Sequence, residues 1–209
     1  MSVQFGRLMD LCHLKHAELQ PELQKYKGRV VFRDQVKDET CYCAVFTEQG
    51  ASASQMAAAK FLDTIARMPG MKGQAADAVK AYTQVPLINA PTLLGLSENE
   101  CPDTWISLPP SRQPASWKKI QDPVCPLERN LYGHPLAGLL WERNLEEALL
   151  KLKREKILGW ECLYVHREKQ LFLSVYVDDF KMVGKSENLS DMWKQIRKDI
   201  DLEPETEFS

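Results

Sequence analysis

The chain has 209 residues, enough for one large domain, and its 44% hydrophobic and 27% charged residues exclude a disordered or low-complexity protein. It contains no apolar run long enough to span a bilayer and no charged-then-apolar leader, so we expect a soluble, non-secreted protein of the cytoplasm or nucleus. The formal net charge of −2 does not favour nucleic-acid binding by the molecule as a whole, so any such surface has to be local.

The six cysteines form no Cys-x-x-Cys pair, and neither His13 nor His16 completes a zinc-binding spacing with them. Cysteines in this pattern are typical of a reducing compartment, where disulfides do not persist. We therefore expect free thiols at all six positions, which are Cys12, Cys41, Cys43, Cys101, Cys125 and Cys162.

The first third of the chain is predicted to contain two strands and a helix. Residues 1 to about 25 are interpreted as helical or irregular. Residues 26–33 are basic at the ends and apolar in the middle, and residues 41–46 are apolar, so both segments are predicted strands. A helix is predicted from about Ser52 to the Pro69-Gly70 stop. Its predicted core stripe is Ala58, Phe61, Leu62, Ile65 and Met68.

The next segment carries one acidic residue of interest. Residues 74–85 are mostly small or apolar, and we predict a strand that contains Asp77. A single aspartate in such a strand is a weak signal by itself. Residues 86 to about 128 are rich in proline and turn residues, and residues 111–122 are predicted to form an exposed loop.

A second helix is predicted after Pro135, a residue that suits the first helical turn. Its predicted core stripe is Trp141, Leu145, Ala148, Leu149 and Leu152. The basic stretch that follows is either a local surface for nucleic acid or a solvated helix end, where cations suit the helix dipole. This basic stretch consists of Lys151, Lys153, Arg154 and Lys156. Residues 162–166 are predicted to be a strand that ends at the surface with His166.

Residues 171–184 contain two apolar runs on either side of Asp178-Asp179. Short apolar runs rich in Val, Phe and Tyr are typical of strands, so the two aspartates are predicted at a hairpin tip. Adjacent carboxylates repel each other and a divalent cation is their usual partner; the alternative is a solvated polar turn. A last helix is predicted with Asn188 or Ser190 as its cap, and regular structure is predicted to end at Glu203-Pro204. Its predicted core face is Leu189, Met192, Trp193, Ile196 and Ile200.

The string Tyr176-Val177-Asp178-Asp179, with the Phe-Lys-Met-Val-Gly that follows, resembles the tyrosine-x-aspartate-aspartate box of reverse transcriptases, and copia-type retrotransposon polymerases are the most similar. Three further segments resemble that family in the same order along the chain. They are the basic strand at 26–33, Asp77-Ala-Val-Lys-Ala-Tyr82, and the block from Leu131-Tyr132-Gly133 to Trp141. One departure is Leu136, which stands at about the place of a family glutamine that steadies the nucleotide or template.

The resemblance implies an α+β fold, the fingers and palm of a reverse transcriptase, built as a split βαββα sandwich with a Tyr-Val-Asp-Asp hairpin. It implies two-metal nucleotidyl transfer by an RNA-directed DNA polymerase with two Mg²⁺ ions, or Mn²⁺ in their place. The family's catalytic and metal-binding carboxylates correspond to Asp77, Asp178 and Asp179. Its nucleotide-binding residues correspond to Lys27, Arg29, Arg33 and Tyr82, whose ring would exclude a ribose 2′-hydroxyl.

By the same resemblance, residues 1–25 are an N-terminal extension and residues 26–209 are a partial reverse transcriptase domain of a retrotransposon Pol polyprotein, without thumb or ribonuclease H portions. The implied partners are an RNA template, a DNA primer and deoxynucleoside triphosphates, with no membrane. An alternative is an inactive or domesticated remnant of the same fold that binds nucleic acid weakly. A third hypothesis is an unrelated Mg²⁺-dependent phosphotransfer or nuclease domain.

Overall fold

The computed structural model describes residues 3–34, 51–87 and 103–208. In these residues the strands are β1 (Val3–Lys15), β2 (Lys25–Asp34), β3 (Met71–Asp77), β4 (Asp103–Ser107), β5 (Val124–Pro126), β6 (Glu155–Ile157), β7 (Trp160–His166), β8 (Leu171–Tyr176), β9 (Asp179–Lys185) and β10 (Thr206–Phe208). The α-helices are α1 (Ala51–Ala66), α2 (Ala137–Lys151) and α3 (Ser186–Ile196). Short 3₁₀ helices lie at Pro21–Leu23, Ala81–Gln84, Pro110–Arg112 and Ala115–Lys119. None of the helices in this described part has the length and apolarity that a membrane crossing needs.

The strands form two sheets. The first has the order β2-β1-β4-β5, in which β1 is antiparallel to β2 and parallel to β4. The second has the order β10-β3-β9-β8-β7-β6, and all its neighbours are antiparallel. Helices and mainly antiparallel sheets agree with the predicted mixed class of fold. The finer division into fingers and palm stays a prediction.

The six-stranded sheet carries helices on both faces. Side chains alternate along β9, so Phe180 and Met182 pack in the core with α2 and α3, whereas Val183 packs with Leu62 of α1. The larger of the two cores also contains Leu140, Trp141, Leu149, Leu189, Met192 and Trp193, each 3% exposed or less. Burial of each such side chain contributes about 1.5–3 kcal/mol, so this core contributes strongly to the stability of the sheet.

The predicted helices and several predicted strands are confirmed. β2 and β7 cover the basic strand and the strand at 162–166. The stripes of α2 and α3 are buried as predicted, with Leu152 half-buried. In the α1 stripe, Ala58 and Leu62 are buried but Phe61 is 39% exposed, so that stripe is only partly core.

Free thiols are confirmed at Cys12, Cys125 and Cys162. The other three cysteines and the strand predicted at 41–46 lie outside the described residues. The loop predicted at 111–122 is mostly exposed, as expected, although two of the 3₁₀ helices fall within or next to it.

The interpretation of residues 1–25 as helical or irregular is wrong, because β1 is a 13-residue strand that pairs along most of its length with β2. Gly6 permits a close approach there, since a Cβ atom would lie 2.2 Å from the Phe32 ring. Most residues of β1 are exposed or half-buried on both faces, so pairing rather than burial defines the strand and no clear periodicity marks it. The predicted division at residue 25 falls at the start of β2, and the domain division itself stays a prediction.

The strand predicted at 74–85 starts earlier and is shorter. β3 ends at Asp77, and after Lys80, with φ of +51°, the chain turns into a 3₁₀ helix. The prediction of a cap at Asn188 or Ser190 is wrong, because α3 begins at Ser186. The Asn188 side chain instead donates from Nδ2 to the carbonyl oxygen of Lys169 at 2.9 Å.

Two predictions near the C-terminal half also fail. His166 was expected at the surface but is 5% exposed, and its Nδ1 accepts a hydrogen bond from the Lys169 backbone N–H at 3.3 Å. Regular structure does not end at Glu203-Pro204, because β10 follows and pairs with β3. In both cases a tertiary contact overrides the local pattern.

Candidate active site

Three carboxylates lie at one end of the six-stranded sheet. Asp77, the last residue of β3, is directly opposite Asp179, the first residue of β9. Residues in that relation share a face of the sheet and have Cβ atoms about 4.5–5.5 Å apart. The backbone oxygen of Asp178 accepts a hydrogen bond from Ala78 N–H at 2.7 Å, which holds the third residue beside the other two. The sheet therefore brings together the two acidic segments that are far apart in the sequence.

The turn between β8 and β9 consists of Val177 and Asp178, so the predicted hairpin tip is shifted by one residue and Asp179 already belongs to β9. Val177 has φ of +52°, the sign that two-residue hairpin turns require at their first position. The buried Trp141 of α2 donates from Nε1 to the Val177 carbonyl oxygen at 2.7 Å. A helix on one face of the sheet thus supports the turn.

The carboxylates influence one another. Burial raises the pKa of the Asp179 carboxyl above its ordinary value, and the negative charges of Asp178 and Asp77 raise it further. A nearby cation relieves such repulsion between carboxylates. The cluster therefore favours a positively charged ligand over an empty state.

The donor set suits a hard divalent cation, because carboxylate oxygens are what Mg²⁺ prefers. Within residues 3–34, 51–87 and 103–208, no group of three or more His, Cys, Asp or Glu residues converges closely enough to hold a metal ion by itself. Mg²⁺ usually takes one or two carboxylates together with substrate phosphates and water, and rarely an all-protein cage. The residues therefore fit an ion that arrives with a phosphorylated substrate.

Two cations of β2 lie on the side of the acids. Burial and the positive charges of Arg29 and Lys15 lower the pKa of Lys27, and the negative charge of Asp178 partly offsets this by raising it. The guanidinium carbon of Arg29 lies 5.5 Å from the centre of the Tyr132 ring. Burial raises the pKa of Tyr132, the charge of Asp178 raises it further, and Arg29 opposes this. Acids, cations and an aromatic ring therefore form one electrostatic group.

Tyr82 belongs to the same group. Its ring meets the Tyr132 ring edge to face, with centroids 4.7 Å apart, and the ring is half-buried in the 3₁₀ helix after β3. Pairs of this geometry contribute about 0.5–1.5 kcal/mol beyond area burial. Tyr132 thus stands between Tyr82 on one side and Arg29 on the other.

The cations of the β1–β2 hairpin share one face, because side chains alternate along each strand and paired residues point the same way. Arg7 is opposite Arg33, Lys15 is opposite Lys25, and His13 is opposite Lys27. We call this surface the cationic hairpin face. Its members are Arg7, Lys15, Lys25, Lys27, Arg29 and Arg33. Like charges directly opposite each other are unfavourable, so the face is suited to a polyanion.

The predicted nucleotide-binding residues are therefore not equivalent. Lys27 and Arg29 interact electrostatically with Asp178 and with the Tyr132 ring. Arg33 lies on the same face, about 13 Å beyond Arg29 along the strand. Sequence analysis did not identify Lys15, whose positive charge helps to lower the pKa of Lys27, because this neighbour depends on the register of β1 against β2. The binding roles of these residues stay predictions.

The loop that carries Tyr132 is clamped to β2. Phe32 N–H donates to the Tyr132 carbonyl oxygen at 2.7 Å. Gly133 has φ of +86°, and a Cβ atom there would lie 2.4 Å from the Phe32 carbonyl oxygen. The buried Asn130 accepts from Leu131 N–H and donates to the Ala137 carbonyl oxygen. The Leu-Tyr-Gly string is thus explained by a close backbone approach that only glycine permits.

His134 continues this clamp. Its Nδ1 accepts from Leu136 N–H at 3.2 Å, so its Nε2 carries the proton and donates to Thr104 Oγ1 at 3.0 Å. The ring also meets Phe32 edge to face at 5.1 Å. Burial lowers the pKa of His134 to about 4. Leu136, at the family's glutamine position, is 9% exposed and packs in the larger core, so its side chain offers no polar group to a nucleotide.

The basic stretch at 151–156 does not form a free cationic surface. Lys151 pairs with Glu147 at 3.1 Å, Lys153 with Glu168 at 3.9 Å, and Lys156 with Glu142 at 3.4 Å. Arg154 is 1% exposed and donates from Nη2 to Met182 Sδ at 2.9 Å. Of the two sequence-based alternatives, the solvated helix end therefore fits the three lysines, whereas the buried Arg154 fits neither.

Carboxylates at the end of an antiparallel sheet, with cations and aromatic rings nearby, form an arrangement suited to a phosphorylated, metal-bound substrate. Residues 106–208 match the protein family described as reverse transcriptase (RNA-dependent DNA polymerase). The matched range is slightly less than half of the chain's length. The sequence-based recognition of a reverse transcriptase is thereby confirmed. The matched range includes the β8–β9 hairpin, Tyr132 and Trp141, whereas Lys27 and Asp77 precede it.

Two solved structures resemble the chain. One is apo telomerase from Candida tropicalis truncated from its C-terminal domain, with 13% identity, a TM-score of 0.43, and coverage of 78% of this chain and 35% of that one. The other is telomerase from Candida albicans with a fragment of telomeric RNA, with 10% identity, a TM-score of 0.44, and coverage of 99% and 43%. This chain spans less than half the length of either, and likenesses this distant say nothing about its chemistry. Comparison with curated proteins gave no match.

Proposed function

We propose that the chain is the fingers and palm region of an RNA-directed DNA polymerase from a copia-type retrotransposon Pol polyprotein. The observation that carries the proposal is the register that sets Asp77 opposite Asp179. Asp178 lies in the turn directly before Asp179, and its charge acts on Lys27 and Tyr132. If Asp178-Asp179 were only a solvated polar turn, it would need neither Asp77 opposite Asp179 nor the nearby cation Lys27.

In this proposal Asp77 and Asp178 are the principal ligands of two Mg²⁺ or Mn²⁺ ions, and Asp179 supports them. When bound, such ions lower the pKa of the primer 3′-hydroxyl and stabilise the leaving pyrophosphate. Asp77 ends β3, which lies between β10 and β9, so its position depends on the sheet. Lys27 and Arg29 supply positive charge toward the triphosphate from the other side of the site, and Arg33 extends that charge along β2.

Tyr82 is proposed to select deoxynucleotides by excluding a 2′-hydroxyl. The edge-to-face contact with Tyr132 restricts the Tyr82 ring to one position, as an excluding wall requires. Replacing Tyr82 with alanine in an active relative is expected to raise ribonucleotide incorporation. Unchanged sugar selectivity would show that another residue, such as Thr83 or Ala81, faces the sugar.

The proposed macromolecular partners are an RNA template and a DNA primer. The cationic hairpin face supports this, because six cations on one surface attract a phosphate backbone in a chain whose net charge is only −2. Binding to primer–template by these residues alone is expected to be weak and steeply dependent on salt.

A second candidate is an inactive remnant of the same fold. One observation favours it: Leu136 offers no polar group where the family has glutamine. In that case the hairpin face would still bind nucleic acid, but nucleotide binding would not depend on Mg²⁺.

Calorimetric titration of dTTP into the purified chain, with and without Mg²⁺, tests the metal site. We expect binding to be at least tenfold tighter with Mg²⁺, and Asp178→Asn to remove that gain. Asp191→Asn is the matched control, since Asp191 is an exposed carboxylate that pairs with Lys169 away from the site. Equal affinity with and without Mg²⁺ would contradict the proposal.

Extension of a labelled DNA primer on an RNA template separates polymerase from remnant. We expect little extension by a fingers and palm region alone, because primer placement in such polymerases depends on a thumb and small misplacements are costly. A longer chain that also carries a thumb is expected to extend the primer. Failure of that longer chain would favour the remnant, and primer degradation without extension would favour a nuclease.

A further inference from the structure

We propose that Trp141 is a positioning residue for the turn that carries Asp178, acting through the hydrogen bond from its indole N–H to the Val177 carbonyl oxygen. The inference rests on the proposed function in naming Asp178 as a metal ligand. Its structural content, a turn held in place by a buried indole, stands on distances and backbone angles alone.

The peptide units on both sides of Asp178 are each fixed by one hydrogen bond. Before it, the Val177 carbonyl oxygen accepts from Trp141 Nε1 at 2.7 Å. After it, the Asp178 carbonyl oxygen accepts from Ala78 N–H at 2.7 Å. The first bond comes from α2 and the second from the end of β3, so the Cα position of Asp178 is defined by two different elements.

The turn needs such support because its first residue is strained. A β-branched residue with positive φ is a genuine outlier, and such conformations persist only where the surroundings enforce them. Val177 has φ of +52° and is half-buried. The β8–β9 pairing favours this sign of φ, and the indole bond adds a hold from outside the hairpin. Without that bond, the strained Val177 peptide is expected to shift, and the Asp178 Cα atom would move with it.

Trp141 is suited to hold the turn. It is 3% exposed, and the N–H of a buried tryptophan usually has a protein acceptor. Its ring is packed in the same core as Leu140, Leu145 and Phe180, which keeps the indole in one orientation. Breaking this bond would leave a buried donor and an unsupported turn together.

The test uses amide hydrogen exchange of the full 209-residue chain, because the Ala78 amide reports directly on the Asp178 carbonyl group. Trp141→Phe keeps the aromatic packing and removes the donor. We expect the Ala78 amide to exchange about three- to tenfold faster in this variant. The amide of Glu203, which donates to the Asp77 carbonyl oxygen at 2.8 Å, serves as the internal reference and is expected to be unchanged.

A rescue separates positioning from simple packing. Glycine adopts positive φ without cost, so Val177→Gly in the Trp141→Phe background is expected to restore slow exchange at Ala78. Trp193→Phe is the matched control: Trp193 is also fully buried and donates from Nε1 to Gln74 Oε1 at 2.9 Å, away from the turn. It is expected to lower the melting temperature without accelerating Ala78 relative to Glu203.

Three outcomes would overturn the proposal: unchanged exchange at Ala78 in Trp141→Phe, equal acceleration at Ala78 and Glu203, or no rescue by Val177→Gly. If Trp141→Phe does not fold, the single variant Val177→Gly provides the test through Ala78 exchange and the melting temperature. With the strain removed and the indole bond kept, we expect unchanged protection of Ala78 and a higher melting temperature, and a lower melting temperature would contradict the proposal.

None of these readouts needs metal or nucleotide, so they remain valid if the proposed function fails. A parallel titration of Mn²⁺ and dTTP links the two. If the wild-type chain binds and Trp141→Phe binds several-fold more weakly, positioning and function both hold. If the wild-type chain does not bind, only the proposed function fails.

Discussion

The cationic hairpin face and the basic stretch at 151–156 are both rich in cations but differ in how those cations are paired. In the stretch, each of the three lysines has a glutamate partner and the arginine is buried. No described acidic residue forms an ion pair with any of the six cations of the hairpin face, and two of its cross-strand pairs oppose like charges. Exposed ion pairs stabilise a fold by only about 0–1 kcal/mol, so pairing matters here mainly because it decides which charge remains for a ligand.

Low pH is expected to destabilise the packing beneath the hairpin face, because Phe32 of β2 contacts the buried, neutral ring of His134. Burial lowers the pKa of His134 to about 4, below its ordinary value. The stability that the neutral ring contributes is therefore fully present above about pH 6.5 and is lost as the pH falls through about 4, a loss on the order of 3 kcal/mol. Urea unfolding near pH 7.5 and near pH 4 measures it.

Other carboxylates also titrate in that range, so His134→Gln is measured beside the wild-type chain, with His16→Gln as an exposed control. The His134 variant is expected to lose less stability between the two pH values than either of the others. An equal loss in all three chains would show that His134 is not the group responsible.

The buried Arg154 of the basic stretch is expected to lower the stability of the fold, an effect that the cations of the hairpin face do not have. Its Nε and Nη1 atoms are buried and have no hydrogen-bond partner among the described residues, and burial lowers its pKa to about 9. A buried donor without a partner costs about 1–3 kcal/mol, so Arg154→Met is expected to stabilise the chain by about 2 kcal/mol in urea unfolding. Lys153→Met, at an exposed position, is expected to change stability by less than about 0.5 kcal/mol. Destabilisation by Arg154→Met would mean that the guanidinium has a stabilising role.

Removing charge from the two regions should affect nucleic-acid binding unequally. Replacing both Lys27 and Arg29 with alanine is expected to weaken binding of single-stranded RNA about tenfold near 0.1 M salt, and to lower the salt slope by about 1.4. The matched variant, with Lys151 and Lys156 replaced by alanine, is expected to change affinity less than twofold, because those lysines already pair with glutamates. Fluorescence anisotropy at several salt concentrations provides both quantities, and equal effects would remove the distinction between the regions.

The smallest expected effect concerns stability. Lys15 lies opposite Lys25 and beside Lys27, so Lys15→Gln is expected to raise stability by about 0.2–1 kcal/mol. Lys151→Gln is expected to have the opposite sign, a loss of a few tenths of a kcal/mol, because it removes an i,i+4 pair with Glu147. Thermal unfolding at low salt distinguishes the two signs, and a loss in both variants would show that the hairpin cations are not crowded.

The site residues that could be predicted from the sequence are those that belong to short contiguous motifs. Asp178 and Asp179 are adjacent in the chain, and Asp77 precedes a recognisable Tyr82, so the motifs placed them without knowledge of the sheet. Lys15 could not be found in this way, because its neighbour Lys27 is fixed by cross-strand register. The same holds for the indole bond to Val177, which joins two elements that periodicity describes separately.

The failed fold predictions have related causes. β1 is exposed on both sides, so it lacks the periodic burial by which strands are recognised. His166 and Arg154 were expected at the surface because polar side chains are mostly exposed, whereas both lie in the interior. The positive φ of Val177 also goes against residue preference, since a valine is among the last residues expected there.

The two sheets are interleaved along the chain: β3 lies in sequence between β2 and β4, yet it belongs to the other sheet. During synthesis the β1–β2 hairpin is therefore made with an unpaired edge until β4 is made. Strand β3 stays unpaired for longer, because its partner β9 is made much later. Open strand edges invite pairing with other chains, and pairings between distant segments form slowly. The acids come together only when the β8–β9 hairpin pairs with β3, so the acidic cluster forms in the same step in which β3 joins the six-stranded sheet.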